Sequence, residues 1–406
     1  MKGSAERRIL LVDADAFYVA VARLVDPEGA GKARLLIVGG SPERRGVVTS
    51  ASYEARACGV HSAMSMARAV RLCPGAMVVP VPWEGCAGKS REIREVLRRF
   101  TPAVEQASSD EFYLDLAGTE RLYREPLVAT ARRIRAAVVR ETSLTVSIGG
   151  GTSKVVAKLA AGVAKPRPGG EADGVHIVEP GAEQQFMRQF ALADIPLIGS
   201  KFQERLRRLG LGVVPDVLRC DRDTLVAWLG EREGRWLFER VRGVDGAEVE
   251  PEREAKSISR DETFPQDLGD DDALAAQLLA LADRAAGDLR EAGLLARTIT
   301  VKLRDADFTT RHASRTVADP VQSERVVYMV ARELLTKLRA ARRVPARLLG
   351  VALSQFVRGD AGEQLSLLND PPSATVETER DRVISRVIDA VREKFGPDAL
   401  SRGRRG

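Results

Sequence analysis

Histidine is scarce in this chain: His61, His176 and His312 are the only three in 406 residues, and they lie far apart. Imidazole metal sites and Ser-His-Asp catalysis both need a well-placed histidine, so any chemistry is expected to rest on carboxylates. The four cysteines, Cys58, Cys73, Cys86 and Cys220, form no C-x-x-C pair. A zinc site and a disulfide framework are therefore not expected, and small buried thiols are. No apolar run approaches the ~20 residues of a membrane span, and the N-terminal stretch lacks an apolar signal-peptide core. These absences predict a cytoplasmic protein with no membrane partner.

The length predicts more than one domain, since single cores rarely grow past about 250–300 residues. A net charge of +6, from 63 basic and 57 acidic residues, points weakly to a polyanionic partner.

Along the chain, strands are predicted at 8–13, 33–40, 46–53, 112–116 and 144–150, with helices at 61–72, 84–100, 126–141 and 153–163. From 171 to 240 the helical segments are short and broken by Gly and Pro. "IPLIGSKFQERLRRLGL" (195–211) resembles a helix-hairpin-helix, whose free N–H groups can hold a phosphate. Residues 241–253 read as a linker. From 254 to 358 the pattern predicts β-α-β-β-α-β, the ferredoxin-like split βαβ arrangement. "RTITVKLR" (297–304) alternates cleanly: Ile299, Val301 and Leu303 on one face, Thr298, Thr300, Lys302 and Arg304 on the other. That polar face suits a phosphate backbone, or is merely solvated. Residues 359–406 read as a mobile extension containing a helical stretch at 375–395.

"RRILLVDADAFYVAVARL" (7–24) runs Ile9 to Val12 straight into Asp13, with Asp15, Phe17 and Tyr18 following. Open α/β sheets keep their sites at strand ends, but aspartates there are common. "DADAF" partly resembles the D-x-D-x-T motif of haloacid-dehalogenase phosphatases, with Phe17 where that family has Thr or Val. "SSDEFYLDL" (108–116) sets Asp110 beside Glu111. Adjacent carboxylates repel, so a buried pair needs cations or protonation. If Asp13 faces them, two divalent cations about 3.5–4 Å apart could bridge all three and clamp an in-line phosphoryl displacement. The plainer alternative makes Asp110 a turn cap and Glu111 a solvated side chain.

"VDADAFYVAV", "GVVTSASYEARACGVHSAMSMARAVRLCP", "SSDEFYLDL" and "VSIGGGTSKVVAKLAAGVAKPRPGG" follow one another in the order and spacing of the Y-family translesion DNA polymerases. The chain most resembles the bacterial DNA polymerase IV branch, from about residue 8 to 368. The resemblance implies an α+β multidomain fold shaped like a right hand. It would have a ferredoxin-like palm (1–17 and 79–170), small fingers (18–78), a helical thumb (171–240) and a β-α-β-β-α-β little finger (254–358). It also implies a low-fidelity, template-directed polymerase, a monomer acting on primer-template DNA and dNTP. Asp13 and Asp110 would ligate two Mg²⁺ ions, with Mn²⁺ able to substitute. Glu111 would ligate the ion at the primer end, and the Ala14 carbonyl would add an oxygen. Tyr18 takes the steric-gate position, where a rigid ring leaves no room for a 2′-OH. Ser50, Tyr53, Arg56 and Lys165 would contact the triphosphate.

"QLSLL" (364–368) resembles the motif by which bacterial polymerases dock on the sliding clamp. Leu365, Leu367 and Leu368 would fill an apolar pocket, Gln364 would satisfy its rim, and Ser366 lies between them. The chain departs from the family pattern at Ala22, where Glu is frequent, at Ser153, where Asn is usual, and at Leu197, where the thumb hairpin has glycine. A leucine takes positive φ only at a cost, so a different turn is expected there. A non-catalytic, clamp-bound scaffold of a mutasome is the alternative from another class. Such proteins lose the acidic triad, which is present here.

Overall fold

The computed structural model describes residues 7–166, 173–252, 254–358, 377–396 and 399–400. Residues 1–42 and 46–253 form one compact unit, and residues 254–406 lie in another.

In the first unit the order is β1 (Ile9–Ala14), α1 (Phe17–Val25), β2 (Leu36–Gly39), β3 (Val48–Ala51), α2 (Tyr53–Ala57), α3 (Met66–Leu72), β4 (Met77–Val79) and α4 (Trp83–Arg98). Then come β5 (Val104–Gln106), β6 (Glu111–Asp115), α5 (Glu120–Tyr123), α6 (Leu127–Thr142), β7 (Val146–Gly151), α7 (Lys154–Ala164) and β8 (Val175–Ile177). The main sheet has the order β5-β6-β1-β7-β8. Its central strand β1 is antiparallel to both neighbours. Leu10, Val12 and Ala14 join a core with residues of α4 and α6. Ile9 and Leu11 pack with Tyr113, Ala157 and Ala161. Both faces are covered, which is why β1 reads as an unbroken apolar run rather than an alternating one. Ala157 and Ala161 belong to α7, so the face that carries Ile9 and Leu11 is the α7 face. By strand alternation Asp13 continues that face.

Helix α7 lies close because β7 offers it a glycine. A Cβ on Gly149 would stand 2.6 Å from the carbonyl carbon of Ala160, and nearer still to the Ala161 nitrogen and the Ala157 oxygen. Ser153 caps the helix, its Oγ accepting from the Val156 N–H and donating to the Gly243 carbonyl. It therefore does the capping work that asparagine could do. A second sheet, β3-β2-β4, packs Ile37, Val48 and Ala51 on Met66 and Ala69. Ala22 is buried with Leu36 and Val38, where a glutamate would be costly. Cys73 and Cys86 are buried as expected, but Cys58 is exposed.

Helices α8 (Glu183–Met187), α9 (Ser200–Arg208), α10 (Val214–Leu218), α11 (Arg222–Leu229) and α12 (Glu231–Arg240) share a core with Val155, Val156 and Leu159 of α7. Leu197, before α9, takes φ 74°. The expectation of a different turn is thus answered differently: leucine itself adopts the left-handed conformation. It does so with its side chain 81% exposed, while Ile198 beside it is buried. The strain is of order 1–2 kcal/mol, which Ile198 and the rest of that core offset. Residues 244–252 form no helix or strand but are tied down. Arg7 donates to the Asp245 carbonyl (2.7 Å), Arg240 pairs with Asp245 (2.6 Å), and the Glu250 N–H donates to Glu105 (2.7 Å).

The second unit has β9 (Ser257–Leu268), α13 (Asp271–Glu291), β10 (Leu294–Asp305), β11 (Thr310–Val321), α14 (Glu324–Ala341), β12 (Ala346–Arg358) and α15 (Glu379–Phe395). Its sheet order is β11-β10-β12-β9, and α13 and α14 cover one face. Ile299, Val301 and Leu303 point into that core. On the opposite face Thr298 pairs with Thr316 and Thr300 with Ser314, hydroxyl to hydroxyl at 2.9 Å. Lys302 on that face pairs with Asp261.

The expectation of a mobile extension over 359–406 fails for residues 377–396. Arg325 donates twice to Asp381 (2.6 and 2.8 Å) and Arg290 twice to Asp389 (2.6 and 2.7 Å). Arg392 grips Asp283, and the Ser385 hydroxyl donates to Glu324 at 2.6 Å. Ile388 is buried beneath. Paired forks of this kind are geometrically specific, so they dock α15 on α13 and α14 with few apolar contacts.

Candidate active site

Antiparallel pairing places Asp13 opposite Glu111. Side chains opposite one another share a face, with Cβ atoms ~5 Å apart. Asp110 stands just before β6, and its carbonyl accepts from the Ala14 N–H at 3.0 Å. The segments carrying Asp13, Ala14, Asp110 and Glu111 are therefore locked side by side by the sheet. Burial pushes the Asp13 carboxyl up to about 6 against the pull of Lys165, and Glu111 and Asp110 push the same way. Both carboxylates thus act on Asp13 through space.

Each of the three acids accepts a hydrogen bond from a side chain. Lys158 donates to both Glu111 oxygens (2.8 and 2.6 Å). Lys165 donates to Asp13 Oδ1 (2.8 Å), and the Ser108 hydroxyl to Asp110 Oδ1 (2.5 Å). Among the described residues no three His, Cys, Asp or Glu groups already close into a metal cage. The donor set nonetheless fits a hard dication: carboxylate oxygens and a backbone carbonyl on adjacent strands, with charge that calls for neutralisation. Burial opposes the Lys165 ammonium, but Asp13 and Asp15 outweigh it and hold its pKa above the ordinary value.

Asp15 is 6% exposed, accepts from the buried Ser147 hydroxyl at 2.8 Å, and among the described residues its Oδ2 has no hydrogen-bond partner. Its backbone N–H donates to the Thr145 carbonyl. Sequestered in this way, Asp15 is not poised to work as the second acid of a D-x-D phosphatase. Ala16 then caps α1 at φ 45°, a left-handed residue at the foot of the site. This turn buries Phe17 and sets the Tyr18 ring edge-on to Phe17 (5.4 Å) and to Trp83 (6.3 Å).

Ser50 lies on β3, and Tyr53 and Arg56 on α2. Arg56 donates to the Ala51 carbonyl (2.8 Å) and to the Ser50 hydroxyl (3.3 Å), and its guanidinium lies 5.2 Å from the Tyr53 ring centre. Burial raises the Tyr53 phenol above its ordinary pKa, and Asp15, Lys165 and Asp13 all act on it electrostatically. The structure therefore gathers Asp13, Asp110, Glu111, Lys165 and the Ser50–Tyr53–Arg56 group into one locality. Gln364, Leu365, Ser366, Leu367 and Leu368 lie outside the described residues.

Sequence reading missed Lys158 and Lys154. Lys154 pairs with Glu105 and sits over the Tyr113 ring (5.0 Å). The available signal was spacing: Lys154, Lys158 and Lys165 fall at i, i+4 and i+11, one side of a helix.

The impB/mucB/samB family model matches residues 12–162, and the model of that family's C-terminal domain matches residues 255–367. DNA polymerase IV of Dehalococcoides mccartyi is 35% identical over 398 residues, covering 98% of this chain and 97% of that protein. DNA polymerase IV of Caulobacter vibrioides is 35% identical over 394 residues, covering 97% and 93%. Among solved structures, a Y-family DNA polymerase chimera built on Dbh matches with a TM-score of 0.77 at 26% identity, covering 86% of this chain and 99% of that one. The insertion ternary complex of Dbh DNA polymerase matches with a TM-score of 0.59 at the same identity and coverage.

Proposed function

This chain belongs to the impB/mucB/samB family and is a Y-family DNA-directed DNA polymerase of translesion synthesis; on that premise we propose that it works by two-metal nucleotidyl transfer, adding a dNTP to a primer 3′-OH with low fidelity. The observation that carries the reading is Asp13 opposite Glu111, with Asp110 hydrogen-bonded alongside and Lys165 within reach. Asp13 and Asp110 would hold two Mg²⁺ ions, Glu111 one of them at the primer end, and the Ala14 carbonyl a further coordination position. When bound, such ions lower the charge of the transferring phosphoryl group and favour loss of the 3′-hydroxyl proton.

The chain's own groups do the positioning. Arg56 and Tyr53 would hold the triphosphate by charge and hydroxyl, with Ser50 keeping Arg56 in place. Lys165 would reach the terminal phosphates. Tyr18, braced by Phe17 and Trp83, would exclude a 2′-OH by contact with the sugar. In this reading the main sheet is the palm, the β3-β2-β4 layer the fingers, α8 to α12 the thumb and the second unit the little finger. The hydroxyl-lined face of β10 and β11 would lie along DNA. Residues 364–368 would dock on a sliding clamp through three leucines. Among the described residues no helix is long and apolar enough to cross a membrane. A cytoplasmic monomer is the matching proposal.

Primer extension with the purified chain, Mg²⁺ and dNTPs, run beside Asp110→Ala, tests the reading. Loss of extension in the variant is the expected result. A variant as active as the parent would leave the carboxylates without a role.

A further inference from the structure

The hairpin between β10 and β11 turns through Ala306, Asp307, Phe308 and Thr309. Phe308 stands at its tip with φ 67° and is 62% exposed. A bulky residue in the left-handed region is an outlier, and it persists only where its surroundings over-determine it. Here they do. The Phe308 N–H donates to the Asp305 carbonyl and the Asp305 N–H to the Thr309 carbonyl, both at 2.9 Å. Asp307 accepts from the Thr309 N–H (3.0 Å) and from Arg342 (2.6 Å). Asp305, fully buried, accepts from Arg311 (2.9 Å) and Arg342 (2.7 Å). The turn is held from several sides, yet the large apolar group at its tip stays in solvent.

One group does lie over that ring. The Ala306 N–H donates to the Pro345 carbonyl at 2.9 Å, which ties the tip to the segment entering β12. That segment carries Arg347, whose guanidinium carbon stands 4.5 Å from the Phe308 ring centre. Arg311 and Arg342 are paired with acids, whereas Arg347 has no ion-pair partner among the described residues. An exposed ring beside an unmatched guanidinium suits a ligand that is flat in one part and anionic in another. A nucleotide is such a ligand: its base stacks on the ring while its phosphate meets the arginine. Bases inside a duplex already stack on one another and offer no free face. The substrate of a polymerase also includes single-stranded template, whose bases do.

We propose that Phe308 and Arg347 form a platform at the tip of the β10–β11 hairpin that stacks one unpaired template base and pairs with its phosphate. The platform differs in kind from the hydroxyl-lined face of the same sheet, which suits a backbone and carries no aromatic group. The inference rests on the polymerase reading, which supplies the single-stranded template.

The test uses the full chain without metal or dNTP, so it does not depend on the two-metal chemistry. Fluorescence anisotropy compares a primer-template carrying a single-stranded template overhang with a blunt duplex. Phe308→Ala should bind the overhang DNA about five- to tenfold more weakly, the lower part of the range for base–aromatic stacking, and the blunt duplex within twofold of the parent. Phe308→Trp should bind both as the parent does. Phe308→Gly guards against misfolding: glycine takes positive φ at no steric cost. It should melt no lower than the parent and still bind the overhang as weakly as Phe308→Ala. Arg347→Met should reduce the slope of log K against log salt on the overhang DNA by about 0.7, the share of one single-strand phosphate. 2-Aminopurine placed at successive overhang positions should be quenched at one of them by the parent and not by Phe308→Gly. If Phe308→Gly binds the overhang as the parent does and quenches alike, the proposal is overturned. Equal weakening on overhang and blunt DNA overturns it too, because the tip would then grip duplex. So does unchanged DNA binding with a loss of clamp-stimulated synthesis, since the tip would then face a protein. Failure of the polymerase reading is seen separately, as a parent protein that does not extend the same primer when Mg²⁺ and dNTPs are added.

Discussion

Gly149→Ala adds one methyl group at the point where β7 meets α7. That methyl would lie 2.6 Å from the Ala160 carbonyl carbon and closer to the Ala161 nitrogen and Ala157 oxygen. All three are backbone atoms, so no side-chain rotation can relieve the contact. The helix must move off the sheet. Overpacking of a well-filled core costs ~1–3 kcal/mol, and a backbone clash belongs at the upper end. For a unit of this size ~3 kcal/mol lowers the melting temperature by about 6–12 °C. The displacement also carries Lys158 and Lys165 away from Glu111 and Asp13, and an error of ~1 Å in such a site costs about a hundredfold in rate. Calorimetry and primer extension on the same preparation measure both effects. A variant that melts within a degree or two of the parent and extends primers within twofold would refute the claim that this glycine sets the helix-to-sheet distance.

Four further outcomes can be measured. Tyr18→Ala should incorporate ribonucleotides far more readily in single-nucleotide insertion, and unchanged sugar discrimination would remove the gate assignment. Deleting 364–368 should abolish clamp-stimulated synthesis and spare unassisted synthesis; equal stimulation of both forms would count against docking through these residues. Arg290→Ala should cost the second unit up to about 3 kcal/mol by removing its two charge-assisted hydrogen bonds to Asp389, read as a lower melting temperature. The docked helix should also be acid-labile. The Arg325 hydrogen bonds hold the Asp381 carboxyl below its ordinary pKa. A depressed carboxyl contributes stability that is full above its unfolded value of about 3.9 and is lost as pH falls towards the folded one. Protection of 379–395 against proteolysis by pepsin should therefore fall with pH in that window and not above it.

The parts of this molecule legible in sequence are those built from period. "RTITVKLR" alternates because one face meets α13 and α14 while the other carries hydroxyls, and the split βαβ order follows from it. β4, β5 and β8 are three residues each, too short for any period to register. α1 went unread because it follows β1 after a two-residue turn, so its apolar residues merge with the strand's. α15 announced itself as a helix, but its docking did not: the contact is made by arginine–carboxylate forks, which in sequence resemble a solvated face. In the site, the acids and Tyr18 were legible as motif. Lys158 was not, since its meaning depends on Glu111 lying across the sheet, and only register supplies that. Leu197 misled because steric preference alone argued against its conformation, whereas the buried Ile198 next to it settles the turn.

The bond between α15 and its unit has a practical corollary for anyone handling the protein. The helix is joined to β12 by the backbone through 359–376 and to α13 and α14 by four side-chain couplings. A single peptide cleavage between those attachments would not set the C-terminal fragment free. Both pieces would travel together through a sizing column at moderate ionic strength and part only in denaturant, so an intact elution profile is no proof of an intact polypeptide.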